Sequence, residues 1–401
     1  MTDLVRGQVV LVAGSRWENT PGTDHRLALA LAAHHDVLWV DPPVPCTGSF
    51  LGQREWPMSY QVDSISEGIR RLRVVVPPGP FRPGLRRMAS LLQQRAIRRV
   101  LSAANSRPVF TLLCSPTTRF PKNDAGVLIY HVTDDWIAGA ELMGLSRRHV
   151  RRVMAYNLRR AHIVATVTPY LATKLQDFAP SVNVEVLPNG CEIITSGQAA
   201  QGGGNDRRPA VALVGQLNER LDFELLDRIT DAGLPLDIIG PRREHDHLTS
   251  LLLDKLLGRA NVTWFGEVPS ESVTKLLERA TVGITPYKSD DDFNRASFPL
   301  KTLEYLSVGL PVVATDSPAV SWLDTQWIKV GRTHQQFVEF VVTAAYKQLG
   351  EDERSLIRAF ARQHSWNARV KRLLQLADAA ASFSKPSNQL ASPPGVWPHV
   401  K

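Results

Sequence analysis

Cysteine is scarce in this 401-residue chain: Cys46, Cys114 and Cys191 stand far apart, odd in number and without a CxxC pair. That argues against a disulfide framework and a zinc site, and it fits a reducing compartment. Long apolar runs are missing as well. The opening MTDLVRGQVVLVAG holds an apolar stretch of only about seven residues, too short for a signal-peptide core or for the roughly 20 residues that span a bilayer. The expectation is a cytoplasmic protein whose contact with a membrane is peripheral. No GxGxxG follows the first apolar run, and His25, His34 and His35 lack the acid spacing of a metal site. Acids nearly vanish between Glu67 and Arg119, where eleven arginines face one glutamate and no lysine.

What is present describes an ordinary globular chain, with 43% hydrophobic and 21% charged residues and enough length for two cores of about 180 residues each. The formal net charge of +8 is concentrated in the arginine-rich stretch and in SRRHVRRVMAYNLRR, residues 146–160. Such a surface attracts polyanions: phosphate-bearing substrates, anionic lipid headgroups or nucleic acid. The plain alternative is a solvated helix face. The arginines lack interleaved aromatics, which argues against nucleic acid. In LRRMASLLQQRAIRRVL, residues 85–101, Leu85, Met88, Leu92, Ala96 and Val100 recur at helical spacing, with Arg86, Arg87, Gln93, Gln94 and Arg98 largely elsewhere. This predicts a basic amphipathic helix suited to an anionic membrane surface. The competing reading packs its apolar side on the first sheet.

Short β-branched runs alternate with helical stretches along the chain. QVVLVAG, DVLWVDPP, VFTLLCSP, VLIYHV and HIVATVTP read as strands of one parallel sheet. AVALVGQL, LPLDIIGP, NVTWFGEV, ATVGITPY and LPVVATD read as a second. The fold class is α/β, two tandem Rossmann-like doubly wound domains facing a cleft. The expected boundaries are a first domain over 1–194, a glycine-rich linker over 195–209, a second domain over 210–364, a C-terminal helix over 365–381 and a disordered tail over 382–401.

Ligands bind such sheets at the carboxyl ends of the strands, so the chemistry is sought in the loops there. In SFPLKTLEYLSVGLPVVATD, Pro299 opens a helix whose free N–H groups and dipole form an anion site, and Glu304 lies one turn on, suited to a pair of vicinal hydroxyls. A diphosphate next to a ribose satisfies both. In VLIYHVTDDWIAG a strand ends on His131, Asp134 and Asp135, candidates for sugar contact or proton exchange, or else caps of the next helix. Gly14, Ser15 and Asn19, in the loop after the first run, stand where the GT-B glycosyltransferases that this sequence resembles bring acceptor and reactive phosphate together, which implies an acceptor or phosphate cradle.

These residues resemble retaining GT-B glycosyltransferases near family GT4, including the teichuronic-acid branch, across almost the whole chain. Glu304 matches the ribose-binding second glutamate of the family's E-x7-E pair, while Ala296 stands where the first glutamate belongs. Pro299, Leu300, Lys301 and Thr302 match the proline–leucine–lysine motif, with Lys301 implied as a phosphate or donor contact. LPNGCE resembles the interdomain NG motif, Glu192 replacing its aspartate. VALVGQLNERLD resembles the diphosphate segment, which implies roles for Gly215 and Arg220, with Gln216 where an arginine is common. Phe265 and Gly266 fall where the family approaches the base. The resemblance implies a transferase moving a sugar from a nucleotide-sugar to a glycan or lipid-linked acceptor of the cell envelope, without a metal or other cofactor. A nucleotide-sugar 2-epimerase on the same scaffold and a non-catalytic carbohydrate- or nucleotide-binding subunit are the competing readings.

Overall fold

The computed structural model describes residues 6–19, 21–46, 59–79, 84–121, 126–141, 143–193, 209–290 and 292–383. The expected linker therefore lies outside the described residues apart from 209, as does the expected tail beyond 383.

The first domain runs β1 (Gln8–Val12), α1 (Thr23–Ala32), β2 (Asp36–Val40), β3 (Val44–Pro45), β4 (Tyr60–Ser66), β5 (Ile69–Val76), α2 (Leu85–Ala103), β6 (Pro108–Leu113), β7 (Val127–Val132), α3 (Arg147–Leu158), β8 (Ile163–Thr166), α4 (Pro169–Phe178) and β9 (Val184–Val186). Its strands lie in the order β3-β5-β2-β1-β6-β7-β8-β9, parallel except for β4, which pairs antiparallel on β5. Every residue of β1, β7 and β8 is buried, as expected of strands covered on both faces. The chain winds outward from β1 in both directions, so the switch point lies between β1 and β6. There Gly14 passes the Cys114 carbonyl so closely that a Cβ would sit 2.6 Å from that oxygen.

The second domain runs β10 (Val211–Val214), α5 (Phe223–Asp231), β11 (Leu236–Ile239), α6 (His247–Leu257), β12 (Val262–Trp264), α7 (Ser270–Arg279), β13 (Val282–Thr285), α8 (Asp292–Ala296), α9 (Leu300–Ser307), β14 (Val312–Thr315), α10 (Pro318–Leu323), β15 (Ile328–Gly331), α11 (His334–Tyr346) and α12 (Glu351–Gln363). Its parallel order β12-β11-β10-β13-β14-β15 reverses between β10 and β13. Those two strands pair only at Val211–Val282 and Ala212–Gly283, then diverge. The buried Tyr305 hydroxyl of α9 enters the gap, accepting from the Val214 N–H at 2.7 Å and donating to the Ile284 carbonyl at 3.2 Å. Gly283 makes room, since a Cβ there would meet the Tyr305 ring at 2.4 Å. Finally α13 (Trp366–Phe383) crosses back, burying Trp366, Val370, Leu373 and Ala377 with α1 and the first sheet. It includes residues 382 and 383, which the sequence reading assigned to the tail.

Two expectations about the arginine-rich stretch change. Residues 69–76 form β5, an inner strand that charge density disguised as surface, and Arg71 is buried there against Asp41 at 2.5 Å and Glu18. On α2 the apolar side packs on the first sheet through Ala89, Ala96, Ile97, Val100 and Leu101. Gln93 and Gln94 are buried with it, and Gln93 Nε2 donates to the Asp41 carbonyl at 2.9 Å. The helix has no free apolar stripe to insert into a bilayer. No described helix is long and apolar enough to cross a membrane.

Tyr305→Phe strands the buried Val214 N–H and Ile284 carbonyl, and should lower stability in urea unfolding by about 1–3 kcal/mol. A loss below about 0.5 kcal/mol, typical of an indifferent surface change, would show that the hydroxyl does not hold α9.

Candidate functional site

The facing ends of the two sheets are stitched together by the segment that carries α8 and the start of α9. Ser297 Oγ donates to Asp134 Oδ1 at 2.8 Å, Thr168 Oγ1 to the Ala296 carbonyl at 3.2 Å, and Asn189 Nδ2 to the Phe298 carbonyl at 3.3 Å. The Asn189–Gly190 pair makes this join possible, because a Cβ on Gly190 would lie 2.8 Å from the Trp366 nitrogen.

On the second-domain side α9 begins at Leu300, with Pro299 in the cap position. It has neither a side-chain cap nor an acid in its first turn, leaving its amino end electropositive. Pro299, Arg220, Lys288, Asn294, Arg295 and Ser297 are among the residues lining one recess beside it. Arg220 is fixed there: its Nε donates to Asn294 Oδ1 at 2.6 Å, and its guanidinium lies over the rings of Phe293 and Tyr287 at 5.0 and 5.3 Å. Thr302 is buried, with no hydrogen-bond partner for its Oγ1. Gly215, at φ 148°, ends β10, while Phe265 stands exposed beside Gly266 beyond β12. The Gly266 carbonyl accepts from the Gly240 N–H at 2.7 Å.

Glu304 is half-buried and doubly paired, to Lys301 Nζ at 2.7 Å and, across the domains, to Arg26 Nη2 at 3.0 Å. Burial alone raises its carboxyl, but Lys301 and Arg26 outweigh that and hold it below the usual carboxylate range. Arg26, from α1, reaches Glu192 as well, at 3.3 Å. Sequence reading missed Arg26, although GTDHR opening a helix after the first loop was the available signal.

On the first-domain side His131 is fully buried on β7. Neither ring nitrogen meets a hydrogen-bond partner, and burial pushes its pKa down to about 4 against the opposing pull of the Leu187 backbone and Asp24. The ring is neutral at physiological pH. Burial raises the carboxyl of Asp134, with Ser297, Arg220 and Thr133 pulling the other way. Asp135 is committed elsewhere, capping the turn at Ala138 and pairing with Lys174 at 3.0 Å. In the loop after β1 the Gly14 N–H and Ser15 Oγ both donate to Asp24, at 3.1 and 3.3 Å, and Asn19 is exposed, its N–H turned back to Arg16. A carboxylate thus already occupies the donors of that loop. Asp24 is a second residue that sequence reading passed over.

Arg26→Ala would leave Glu304 with Lys301 as its partner. A carboxyl depressed in the folded state stabilises above its unfolded value and loses that contribution as pH falls through the folded value. The variant should therefore be less stable by about 2 kcal/mol at neutral pH, and the gap should narrow as Glu304 protonates. A gap constant across denaturant titrations from about pH 3 to 8 would remove the pair from the account.

Residues 208–345 match the family described as glycosyl transferases group 1. Over 91% of this chain and 96% of its own length, TuaH of Bacillus subtilis (strain 168), assigned as a teichuronic acid biosynthesis glycosyltransferase, is 25% identical. Among solved structures, sucrose-phosphate synthase from Thermosynechococcus elongatus superposes with a TM-score of 0.67 at 15% identity, covering 94% of this chain and 100% of that one. The catalytic domain of starch synthase IV from Arabidopsis thaliana, bound to ADP and acarbose, gives 0.64 at 12% identity, with coverages of 94% and 99%. Anabaena HepE in complex with UDP and glucose gives 0.59 at 14% identity, with 92% and 99%. The two facing parallel sheets have the GT-B fold of these glycosyltransferases, and the second domain carries the glycosyl transferases group 1 match.

Proposed function

We propose that the cleft transfers a sugar, with retention at the anomeric carbon, from a nucleotide-diphosphate sugar to a cell-envelope glycan or lipid-linked acceptor. The observation that carries this reading is the convergence of the α9 amino end, Arg220 and the Lys301–Glu304 pair at one rim of the cleft, facing Asp134 across the Ser297 bridge. An acceptor hydroxyl attacks the anomeric carbon and the nucleoside diphosphate leaves, so negative charge accumulates on its phosphates. Arg220, Lys301 and the α9 amides meet that charge in fixed positions, where preorganised donors act most strongly. No metal takes part in this scheme. Glu304 binds the ribose hydroxyls, exchanging Arg26 for the donor as the cleft fills. Neutral His131 offers a hydrogen bond to the transferred sugar, and Asp134, its carboxyl raised by burial, is available for proton exchange with the acceptor. The envelope acceptor is supported by the likeness to the teichuronic acid protein.

Glu304→Ala should weaken nucleotide binding in calorimetry at temperatures where the variant stays folded, with a stability loss of about 2 kcal/mol like that of Arg26→Ala. Equal affinities for every nucleotide-sugar tried would end the ribose assignment. Arg220→Ala and Lys301→Ala should lower kcat more than they raise acceptor KM, since phosphate charge builds in the transition state. Full activity in both, or turnover abolished by EDTA, would overturn the scheme.

Attachment to an anionic membrane surface, which would bring the cleft to a lipid-linked acceptor, rests in this reading on charge alone. Arg95, Arg98 and Arg99 stand exposed on α2, and each basic side chain near such a surface is worth about 1 kcal/mol. Sedimentation with anionic vesicles should show binding at low salt that raised salt removes. Protein left in the supernatant at low salt would favour a soluble acceptor.

A further inference from the structure

Several arginines find carboxylates: Arg71 has Asp41, Arg73 has Asp63, Arg26 has Glu304. One group on the first domain does not. Arg86 in the first turn of α2, Arg119 in the loop after β6 and Arg152 on α3 have no ion-pair partner among the described residues, and the Arg86 Nε is buried without a hydrogen bond. All three act electrostatically on one imidazole, that of His149, whose own Nε2 is buried and unpartnered. Burial, then these three arginines, push it down to about 4, and no carboxylate among the described residues acts on it.

The cluster is held in place by neutral contacts. His149, Arg152 and Tyr156 recur at i, i+3 and i+7 on one face of α3. The Arg119 guanidinium lies 4.6 Å over the Tyr156 ring. Its loop is clamped on both sides by the buried Asn157, which donates to the Thr118 carbonyl at 2.9 Å and accepts from the Phe120 N–H at 3.1 Å. Gathering like charges without a counter-ion costs free energy, and rigid supports that prevent them from separating make sense when the missing anion is a ligand. Two helices of 19 and 12 residues also begin here, α2 and α3, neither with a side-chain cap nor with an acid in its first turn. Their amino ends add to the same positive field. Arg86, Arg119 and His149 follow β5, β6 and β7 in turn, so they lie toward the carboxyl end of the sheet, the end that carries Asp134.

We propose that Arg86, Arg119, Arg152 and His149 form a first-domain subsite for a phosphate-bearing part of the acceptor. Three guanidiniums, of which Arg119 is seated on the Tyr156 ring, suit a diphosphate or clustered phosphates better than a lone carboxylate, which would leave most of the charge unmatched. The anion site stands on the cluster itself; the word acceptor rests on the proposed transfer reaction.

The test follows the His149 ring by NMR in histidine-labelled protein, assigned with His149→Gln, while pyrophosphate is added. An anion among the arginines favours the imidazolium, so the His149 titration should move up from about 4 toward the ordinary histidine range. R119Q/R152Q, which alters exposed side chains, should keep the circular dichroism spectrum and nucleotide binding of the parent while weakening the pyrophosphate effect by roughly tenfold or more. R152Q alone should give an intermediate loss. Pelleting with phosphatidylglycerol and with phosphatidylcholine vesicles separates the sources. Phosphatidylglycerol binding that falls in R119Q/R152Q assigns the phosphate to a lipid headgroup, and a pyrophosphate response with vesicle binding unchanged by the variant assigns it to a free acceptor. A His149 titration indifferent to pyrophosphate, with vesicle binding equal in parent and variant, overturns the subsite. Because His149 reports locally, a failed donor assay with a normal His149 response would instead count against the transfer reaction.

Discussion

The geometry of the cleft depends on a single phenol. Where β10 and β13 part at the switch point, the exposed backbone groups of Val214 and Ile284 would be buried without partners, and Tyr305 Oη supplies both. That pair of bonds fixes the height and rotation of α9 against the sheet, with Gly283 leaving the ring space to enter. Residues on the same helix inherit the placement. Lys301 and Glu304 project toward the first domain because Tyr305 and Leu306 are buried against the second, and the electropositive amino end of α9 is aimed at the cleft for the same reason.

From α9 the constraint passes between domains through short polar contacts set beside an apolar seam, where α4 packs against α8 and α10. Arg26 meets Glu304, Ser297 meets Asp134, and Asn189 holds the Phe298 carbonyl. To this α13 adds a crossing, where its Trp366 packs over Gly190. The electrostatics follow from burial and neighbours: burial pushes His131 down to about 4 and raises the Asp134 carboxyl, while Lys301 and Arg26 hold Glu304 below the usual carboxylate range.

The arginines of the first domain divide by their partners. Arg71 is structural, locked between Asp41 and Glu18, with Trp39 Nε1 also donating to Asp41 at 2.7 Å. Arg26 spans the cleft. Arg86, Arg119 and Arg152 gather around His149 without a counter-charge. One residue type thus serves three purposes, and the distinction lies wholly in which carboxylates the fold brings near.

The sequence alone determined the two parallel sheets, because continuous β-branched runs such as QVVLV and VLIYHV can be buried on both faces only in that architecture. It also marked Pro299 to Glu304, since a proline opening a helix and a carboxylate one turn later are local features. Local pattern did not reveal β5, whose arginines at positions 70, 71 and 73 hide an inner strand, nor the buried Gln93 and Gln94 on α2. It gave Gly14 and Ser15 free donors that Asp24 in fact occupies, and left Asp135 open to chemistry although Lys174 holds it. Only tertiary structure decided these, because a charged or polar side chain takes its role from partners far away in sequence: Arg26 and Glu304 are hundreds of residues apart, and Asp41 and Arg71 are joined only by the pairing of β2 with β5.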